Sequence, residues 1–415
     1  MRMNTLFEKA LAIEPPWFIK EIRFDEGQKQ LDIFIDFRRG ATFVYEDEES
    51  GNKGEFKVYD TVNKIWRHLN FFEHECRLHC RTPRVKTDEG KVRLITPPWA
   101  GLNSGFTLLF EALILQLCSH MPVHDVGRII GETDAKLWRL LESYTERGRK
   151  ETDWSEVNTV GMDETSRAKG HEYITLFVDM GEKRTLHVAE GKGSEAVKEF
   201  AGELAKRDIE PTQVKQVSCD MSPAFIKGVR ENLPQAEITF DKFHILKVIN
   251  DAVDAVRKAE VKENPLLKGE KYLVLKNRSN LSTKQRETLA SLEVPKLNLK
   301  TIRALHIREN FQEIYNACSL SGFVILLKKW YWWATHSRLE PMRKAAHTIK
   351  RHWEGVINWK RFQINNGLLE GLNSLIQAAK AKARGYRTAR NFKIIVYLLT
   401  GKLNFRKINP HFVPV

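Results

Sequence analysis

The chain has 415 residues, with 67 Lys and Arg against 53 Asp and Glu, a formal net charge of +14 and a sequence pI of about 9.4. This length allows two or three domains, and the basic balance favours nucleic acid or an anionic surface as a partner. A transmembrane helix is excluded because no run of about 18 apolar residues occurs, and the N-terminus lacks the apolar core of a signal peptide. Five cysteines fit a reducing cytoplasm better than a disulfide framework.

Residues 1–100 are predicted to form a small β-rich subdomain. A short amphipathic helix precedes Pro15-Pro16, and the stretches Leu31–Phe37 and Phe71–Val85 alternate as strands do. The second stretch contains four potential zinc ligands, namely His74, Cys76, His79 and Cys80. His79 would point to the opposite face from the other three, and no second Cys/His pair lies at finger spacing. Buried strand packing is therefore the favoured interpretation.

Residues 101–150 are predicted to contain a helix-turn-helix. Ser104 is placed to cap an apolar helix over Phe106–His120, and two shorter helices, Pro122–Ile130 and Asp134–Arg147, follow across a tight turn. In DNA-binding proteins the second helix of this motif enters the major groove. Any helical hairpin gives a similar pattern, so the interpretation as a DNA contact also depends on the basic charge.

The next segment predicts an α/β domain with a mixed sheet. Its elements follow the order β-β-β-α-β-α-β-α, with strands at Val157–Asp163, Tyr173–Met180, Arg184–Ala189, Val214–Cys219 and Ala236–Phe240. Asp163 ends the first strand and Asp220 follows the fourth. If those strands are neighbours, the two carboxylates meet at one sheet edge, where their repulsion favours a cation such as Mg²⁺ between them. Taken singly, each Asp could equally be a turn residue or a helix cap.

Residues 246–361 are predicted to be helical throughout. They include a run of four aromatic residues, Trp330–Trp333, which could stack on an unpaired base but are more often part of a helix core. The segment 338–361 contains seven Lys and Arg, which predicts a basic surface suited to phosphates.

A third carboxylate, Glu370, lies on a helix predicted over Asn366–Lys382. It shares a polar face with Asn373 and Gln377 and is the only acid between Gln363 and Arg390. The other, apolar face is predicted to contain Leu368, Leu372, Leu375, Ile376, Ala379 and Ala383. Docking of this helix on the sheet would bring Glu370 to Asp163 and Asp220, and three acids could then hold two metal ions for phosphodiester chemistry. The nearby cations are candidate DNA contacts: Lys380, Lys382, Arg384, Arg387 and Arg390.

Four stretches in this order, GMDETSRAKGHEY, VSCDMSPAFIKGV, FDKFHILKVIN and NNGLLEGLNSLIQAAKAKARGYRTARNF, resemble insertion-sequence transposases of the ISL-three family. The resemblance covers roughly residues 60–405. It implies an RNase H-like catalytic domain of the DDE type, a metal-binding triad at Asp163, Asp220 and Glu370, and Mg²⁺ or Mn²⁺ as cofactor, with two ions per site. Other motif positions receive no catalytic step: Lys169, Gly170, His171, Asp241 and His244.

The resemblance also implies a domain plan. The catalytic domain is predicted at 151–245 and 362–405 as a five-stranded mixed sheet, interrupted by an all-helical insertion at 246–361. The family usually has an N-terminal zinc finger, but this chain has Tyr45-Glu46-Asp47-Glu48 at its Cys-x-x-Cys position and Thr87 at a later cysteine position. A structural zinc is therefore not expected, and the 1–100 subdomain is interpreted as a degenerate, DNA-binding version of that finger.

The leading functional hypothesis is a transposase that binds terminal inverted repeats of double-stranded DNA, cuts strands and joins them to target DNA. Assembly as a homodimer on DNA and a location in the bacterial cytoplasm at the nucleoid are expected, without membrane contact. One alternative is an RNase H-like nuclease or resolvase without strand transfer. Another is a catalytically silent DNA-binding regulator, which the three acids argue against.

Overall fold

The computed structural model describes residues 3–47, 53–101, 104–168, 170, 172–364 and 367–413. The chain divides into two compact units. Unit 1 comprises Met1–Thr152, Ala379–Arg384 and Tyr397–Val415, and unit 2 comprises Asp153–Ala378 and Gly385–Val396. The finer four-part division expected from the sequence stays a prediction.

Unit 1 begins with helix α1 (Met3–Ala10) and a sheet with the strand order β1-β2-β5-β4-β3, in which β6 pairs with β5. Strand β2 alternates between buried and half-buried residues, as its sequence predicts. In β5 the side chains of Cys76, Leu78 and Cys80 are buried, whereas His79 lies on the other face and contacts Asp32 at 2.6 Å. The strands are β1 (Trp17–Asp25), β2 (Gln30–Phe37), β3 (Thr42–Glu46), β4 (Lys53–Arg67), β5 (Glu75–Lys86) and β6 (Val92–Leu94).

Three helices follow in unit 1: α2 (Leu108–His120), α3 (Val123–Ile130) and α4 (Asp134–Lys150). The expected Ser104 cap is wrong, because α2 begins two residues later than predicted and Thr107 is its N-cap. The Ser104 hydroxyl instead accepts the Phe106 N–H and donates to the Glu111 carboxylate. The predicted tight turn between α3 and α4 is confirmed, since Gly131 has φ 73°, which residues with a Cβ rarely adopt.

A buried polar network joins this helical region to the C-terminal segment of unit 1. The Glu111 side chain has no exposed surface and accepts the Tyr144 hydroxyl at 2.6 Å. The Asn409 amide donates to that same hydroxyl oxygen at 2.9 Å and to the carbonyl of Leu108 at 2.7 Å. Because buried polar groups cost stability unless they are paired, residues from opposite ends of the chain complete one core.

Unit 2 contains a five-stranded sheet with the order β11-β10-β7-β8-β9. Strands β7, β8 and β9 form an antiparallel meander, and β10 and β11 pair in parallel, so the predicted mixed sheet and its element order are confirmed. The elements are β7 (Thr159–Ala168), β8 (Glu172–Asp179), β9 (Arg184–Glu190), α5 (Ser194–Ala205), β10 (Gln216–Cys219), α6 (Pro223–Asn232) and β11 (Glu237–Phe240).

The segment after β11 consists of helices and the turns that connect them, and none of its described residues forms a strand, as predicted. Its core is continuous with that of the sheet, and Trp330 is fully buried with its indole N–H donating to the carbonyl of Ile307 at 2.9 Å. Trp332 is 64% exposed, so the four adjacent aromatics do not share one role. The helices are α7 (Lys242–Glu260), α8 (Lys271–Leu275), α9 (Thr283–Leu292), α10 (Lys300–Ile314), α11 (Leu320–His336), α12 (Glu340–Arg351) and α13 (Trp353–Phe362).

Two further helices, α14 (Gly367–Lys382) and α15 (Ala389–Thr400), complete the fold. Asn366, the predicted first residue of α14, lies outside the described residues. Among the helices that are described, none combines the length and the apolar character that a membrane crossing requires.

Candidate active site

The two aspartates predicted to meet lie on neighbouring strands. Asp220 directly follows β10, but Asp163 lies inside β7, which continues to Ala168, so the prediction that Asp163 ends its strand is wrong. β10 pairs with β7 in parallel, with Val217 opposite Val160 and Ser218 opposite Gly161. Extending this register by two residues beyond Ser218 and Gly161 places Asp220 beside Asp163. Asp220 therefore lies at the carboxyl end of β10, the part of an open α/β sheet at which ligands bind, and Asp163 lies beside it on β7. The condition set by the sequence, that these strands be adjacent, is therefore met.

Asp163 is partly desolvated and held by two donors. Its Oδ1 accepts the N–H of Glu164 at 2.8 Å, and its Oδ2 accepts the side-chain amide of Asn373 at 2.5 Å. Burial raises the pKa of Asp163 to about 6, against the opposing effects of the Glu164 N–H and of His244; the negative charges of Asp241 and Asp220 add to the rise. A carboxylate in this state is destabilised unless a proton or a cation neutralises it.

Glu164 and Asp220 complete a group of acids around Asp163. Burial raises the pKa of Glu164, and the negative charge of Asp220 raises it further. The Oδ1 of Asp220 accepts the N–H of Ser222 at 3.0 Å, which fixes the turn into α6. The acids therefore lie near enough to act on one another electrostatically. Glu164 was not singled out from the sequence, because a lone Glu beside Asp163 in a strand carries no spacing signal.

Helix α14 lies along β7, and three contacts set its register. Leu369 packs over Gly161, where an added Cβ would come within 3.0 Å of the leucine side chain. Asn373 then reaches Asp163, and Gln377 donates to Thr165 at 2.6 Å. Two strand residues advance about 6.6 Å and four helix residues about 6 Å. The two elements therefore stay in step over three successive contacts.

Glu370 lies one turn before Asn373 on this docked helix, next to Leu369, and its side chain is exposed. The polar face expected to dock is confirmed for Asn373 and Gln377. The apolar face assigned from the sequence needs correction, because Leu375 is 45% exposed while Leu369, which that face omitted, is 2% exposed. Contacts with β7 turn the helix from its predicted orientation. The approach of Glu370 to the aspartates stays a prediction.

The possible metal ligands around Asp163 suit a hard divalent cation, since they are carboxylate oxygens and include no thiolate or other soft ligand. The raised pKa of Asp163 and of Glu164 is the signature of negative charges that a cation would stabilise. As the side chains lie, no three His, Cys, Asp or Glu residues in the described part of the chain are arranged to hold a metal ion.

The residues predicted to contact DNA lie along the end of α14 and beyond it. Lys382, Arg384, Arg387 and Arg390 are exposed, and burial lowers the pKa of Lys380. The Lys382 ammonium donates to the carbonyl of His120 at 2.6 Å, within unit 1. The role of these five cations in DNA binding stays a prediction. Of the other motif positions, Lys169 and His171 lie outside the described residues.

Asn373 is the site residue that sequence reasoning undervalued. It was placed on the polar face with Glu370, but its partner Asp163 lies 210 residues away in the chain. The Oδ1 of Asn373 is buried and has no hydrogen-bond partner among the described residues. Asp241 is also better defined by the structure, since its side chain caps α7 by accepting the N–H of Phe243 at 2.9 Å.

Comparison with known proteins relates the chain to transposases. A family model described as a transposase matches residues 160–396, and one described as the helix-turn-helix domain of transposase family ISL3 matches residues 95–145. The chain is similar to the transposase for insertion sequence element IS1001 of Bordetella parapertussis, with 26% identity over 345 residues, 81% of this chain and 84% of that protein. It is also similar to the transposase for element IS1557 of Mycobacterium tuberculosis, with 24% identity over 425 residues, 94% and 93% of the two chains.

Proposed function

Because the chain belongs to the ISL3 family of insertion-sequence transposases and contains its DNA-binding helix-turn-helix domain, we propose that it binds the terminal inverted repeats of an insertion sequence. There it cleaves DNA strands and transfers them to target DNA. In this proposal the five-stranded sheet is an RNase H-like catalytic domain, and Asp163, Asp220 and Glu370 are its metal-binding acids.

One observation carries the proposal. The parallel register of β7 and β10 brings Asp163 level with Asp220, and α14 follows the same strand with Glu370 beside the residue that packs on Gly161. Three acids from distant parts of the chain thus belong to elements that pack directly against one another. A structural role alone gives no reason to bury Asp163 with a raised pKa.

The proposed cofactor is Mg²⁺ or Mn²⁺, with two ions per site held by Asp163, Asp220 and Glu370. Bound there, such ions supply Lewis-acid activation of a water or hydroxyl and stabilise negative charge on the phosphodiester. Asn373 and the N–H of Glu164 orient the Asp163 carboxylate, and Ser222 orients Asp220. Below about pH 6 Asp163 takes up a proton and becomes a weaker ligand.

DNA recognition is assigned to both units in this proposal. The second helix of the helix-turn-helix, α4, reads the major groove of the repeat, and the cations at the end of α14 contact phosphates. Two copies assemble on the two repeats as a homodimer. A DNA substrate of this kind would place the protein at the bacterial nucleoid.

The experiment that tests the proposal is the substitution Glu370→Gln. Gln has nearly the same shape but is a poorer ligand for a hard cation. We expect Mg²⁺-dependent nicking of an inverted-repeat duplex to fall by at least about 100-fold, because losing a metal removes several kcal/mol of transition-state stabilisation. Gel-shift binding of the same duplex is expected to be unchanged or tighter.

Glu287→Gln is the matched control, since Glu287 is an exposed helical acid on α9 of the same unit. It should leave both nicking and binding unchanged. Near wild-type nicking by the Glu370 variant would remove this residue from the triad, and loss of binding would make it structural. Joining of labelled repeat ends to a plasmid separates a transposase from a nuclease, which gives nicks without joined product, and from a regulator, which gives neither.

A further inference from the structure

A basic groove runs along β11 on the side of unit 2 where Asp220 enters α6. Two adjoining depressions, of about 540 and 570 Å³, share the lining residues Ile226, Arg230, Arg351 and His352. The floor is apolar and includes Ile238 and Phe240. We call this feature the β11 groove. Neither the helix-turn-helix nor the three acids account for it.

Two arginines in the β11 groove have uncompensated charge. Arg230 on α6 and Arg351 at the end of α12 are both exposed, and neither forms an ion pair with any of the residues that the structure describes. The positive charges of both arginines act electrostatically on His352. The imidazole of His352 packs edge-on against the Phe240 ring, with 5.0 Å between the ring centroids. Burial lowers the pKa of His352, and the positive charges of Arg351 and Arg230 lower it further. The potential in the groove is therefore positive.

Two of the three acids that line the groove are close to cations. Glu237 pairs with Arg361 at 2.9 Å, and Glu231 lies 3.9 Å from Lys227. Lys350 lies over the ring of Trp353 at 4.3 Å and keeps its charge. Glu354 is the third acid and forms no ion pair with the residues that the structure describes, so the unpaired charges of the groove are three cations against one acid. The two arginines are consequently the groups that a further anion would neutralise, and their planar guanidinium groups suit phosphate oxygens.

The position of the groove indicates the source of that anion. Pro223 lines the groove and follows Asp220 by three residues. At the other wall, Phe240 precedes Asp241, whose N–H donates to the carbonyl of Cys219 at 3.0 Å. The groove thus begins beside the sheet edge that holds the candidate active site. We propose that the β11 groove binds the phosphodiester backbone of a DNA strand that leads to or from Asp220, with Arg230 and Arg351 as its phosphate contacts. This inference rests on the proposed function and adds the path of its substrate.

The test measures the salt dependence of DNA binding for the double variant R230A/R351A. Each phosphate contact contributes about 0.9 to the slope of log affinity against log salt concentration, so the slope should fall by about 2. We also expect binding to weaken about tenfold or more at ~0.1 M salt. Because binding is measured in EDTA on a duplex of fixed length, the result does not depend on cleavage. If the wild type then fails to nick with Mg²⁺, the proposed function fails while the groove result stands.

Arg343→Ala is the matched control, since Arg343 lies on the same helix as Arg351 but is paired with Glu340 at 3.2 Å. The slope of log affinity against log salt concentration for this control variant should match that of the wild type. An unchanged slope in the double variant, or an equal fall in the control, overturns the proposal. Inorganic phosphate provides the second arm. If it raises the melting temperature through the two arginines while the DNA slope stays unchanged, the groove is a site for small anions and the DNA assignment is wrong.

Discussion

Replacement of Asp163 by Asn should stabilise the protein at neutral pH in metal-free buffer. Burial raises the pKa of Asp163 from 3.8 to about 6, so ionising this group in the folded state costs at most about 3 kcal/mol. Asn carries no charge and keeps the hydrogen bonds. The buried Oδ1 of Asn373, which has no partner in the described part of the chain, can accept from the new amide after a flip.

The sign of the pH dependence follows from the raised pKa. The folded protein binds a proton at Asp163 more tightly than the unfolded chain, so the associated stability is fully present below about pH 4 and is lost as the pH rises through about 6. The Asp163→Asn variant should therefore exceed the wild type by at most about 3 kcal/mol at pH ~7 and by little at pH ~4. For a domain of 150–250 residues, about 1 kcal/mol corresponds to roughly 2–4 °C in melting temperature.

Thermal melts of both proteins with EDTA at the two pH values measure this difference. Asp251→Asn is the control, because Asp251 is an exposed acid on α7 and its removal should not change the melt differently at the two pH values. Added Mg²⁺ should raise the melting temperature of the wild type at neutral pH but not that of the Asp163→Asn variant. A stabilisation of equal size at both pH values, or a loss of stability at neutral pH, would refute the argument from burial.

Three other outcomes are expected. Metal analysis after dialysis should find no stoichiometric zinc. Zinc binds thiolates, and burial raises the pKa of Cys76 and of Cys80 to about 12. Bound zinc that is lost in the C76S variant would contradict this expectation. Gly161→Ala should cost about 1–3 kcal/mol, because the new Cβ would lie 2.6 Å from the Met180 sulfur and 3.0 Å from the Leu369 side chain, and both would have to shift. Because Leu369 lies on α14, nicking should slow more than DNA binding weakens, and unchanged nicking would show that the close packing is dispensable. Glu260→Gln should cost about 1–3 kcal/mol of stability and so lower the melting temperature. The Glu260 carboxylate accepts hydrogen bonds from the backbone N–H groups of Lys300 and Thr301, the first two residues of α10. An unaltered melting temperature would show that solvent replaces this cap.

The sequence predicts the parts of the site that depend on local pattern. A short apolar run followed by Asp locates both β7 and β10, and the alternation of strands and helices predicts that these strands lie in one sheet. The pattern places the end of β10 correctly but not that of β7, which continues past Asp163 to Ala168 by pairing with β8. Turn chemistry is similarly local, as at Gly131. What local pattern cannot supply is the face on which a helix docks.

Helix α14 illustrates this limit. Its periodicity distinguishes a polar and an apolar side but does not determine which residues reach β7. The outcome is set by Gly161, which lacks a Cβ and so admits Leu369, and by the hydrogen bond from Asn373 to Asp163. Both depend on contacts between segments about 200 residues apart. The early start assigned to α2 failed for a related reason, because the Ser104 hydroxyl is bound to Glu111 within the tertiary structure.

The network of Glu111, Tyr144 and Asn409 has a consequence for the order of events during synthesis. Tyr144 is 265 residues ahead of Asn409 in the chain, an interval of more than about 10 s at typical rates of ~5–20 residues per second. The helix-turn-helix therefore leaves the ribosome well before Asn409, and its buried network is completed only when Asn409 emerges. A nascent or truncated chain carries the DNA-reading helices with this network open. The helix-turn-helix thus gains this stabilisation only in chains that extend to Asn409, and such chains also contain Glu370.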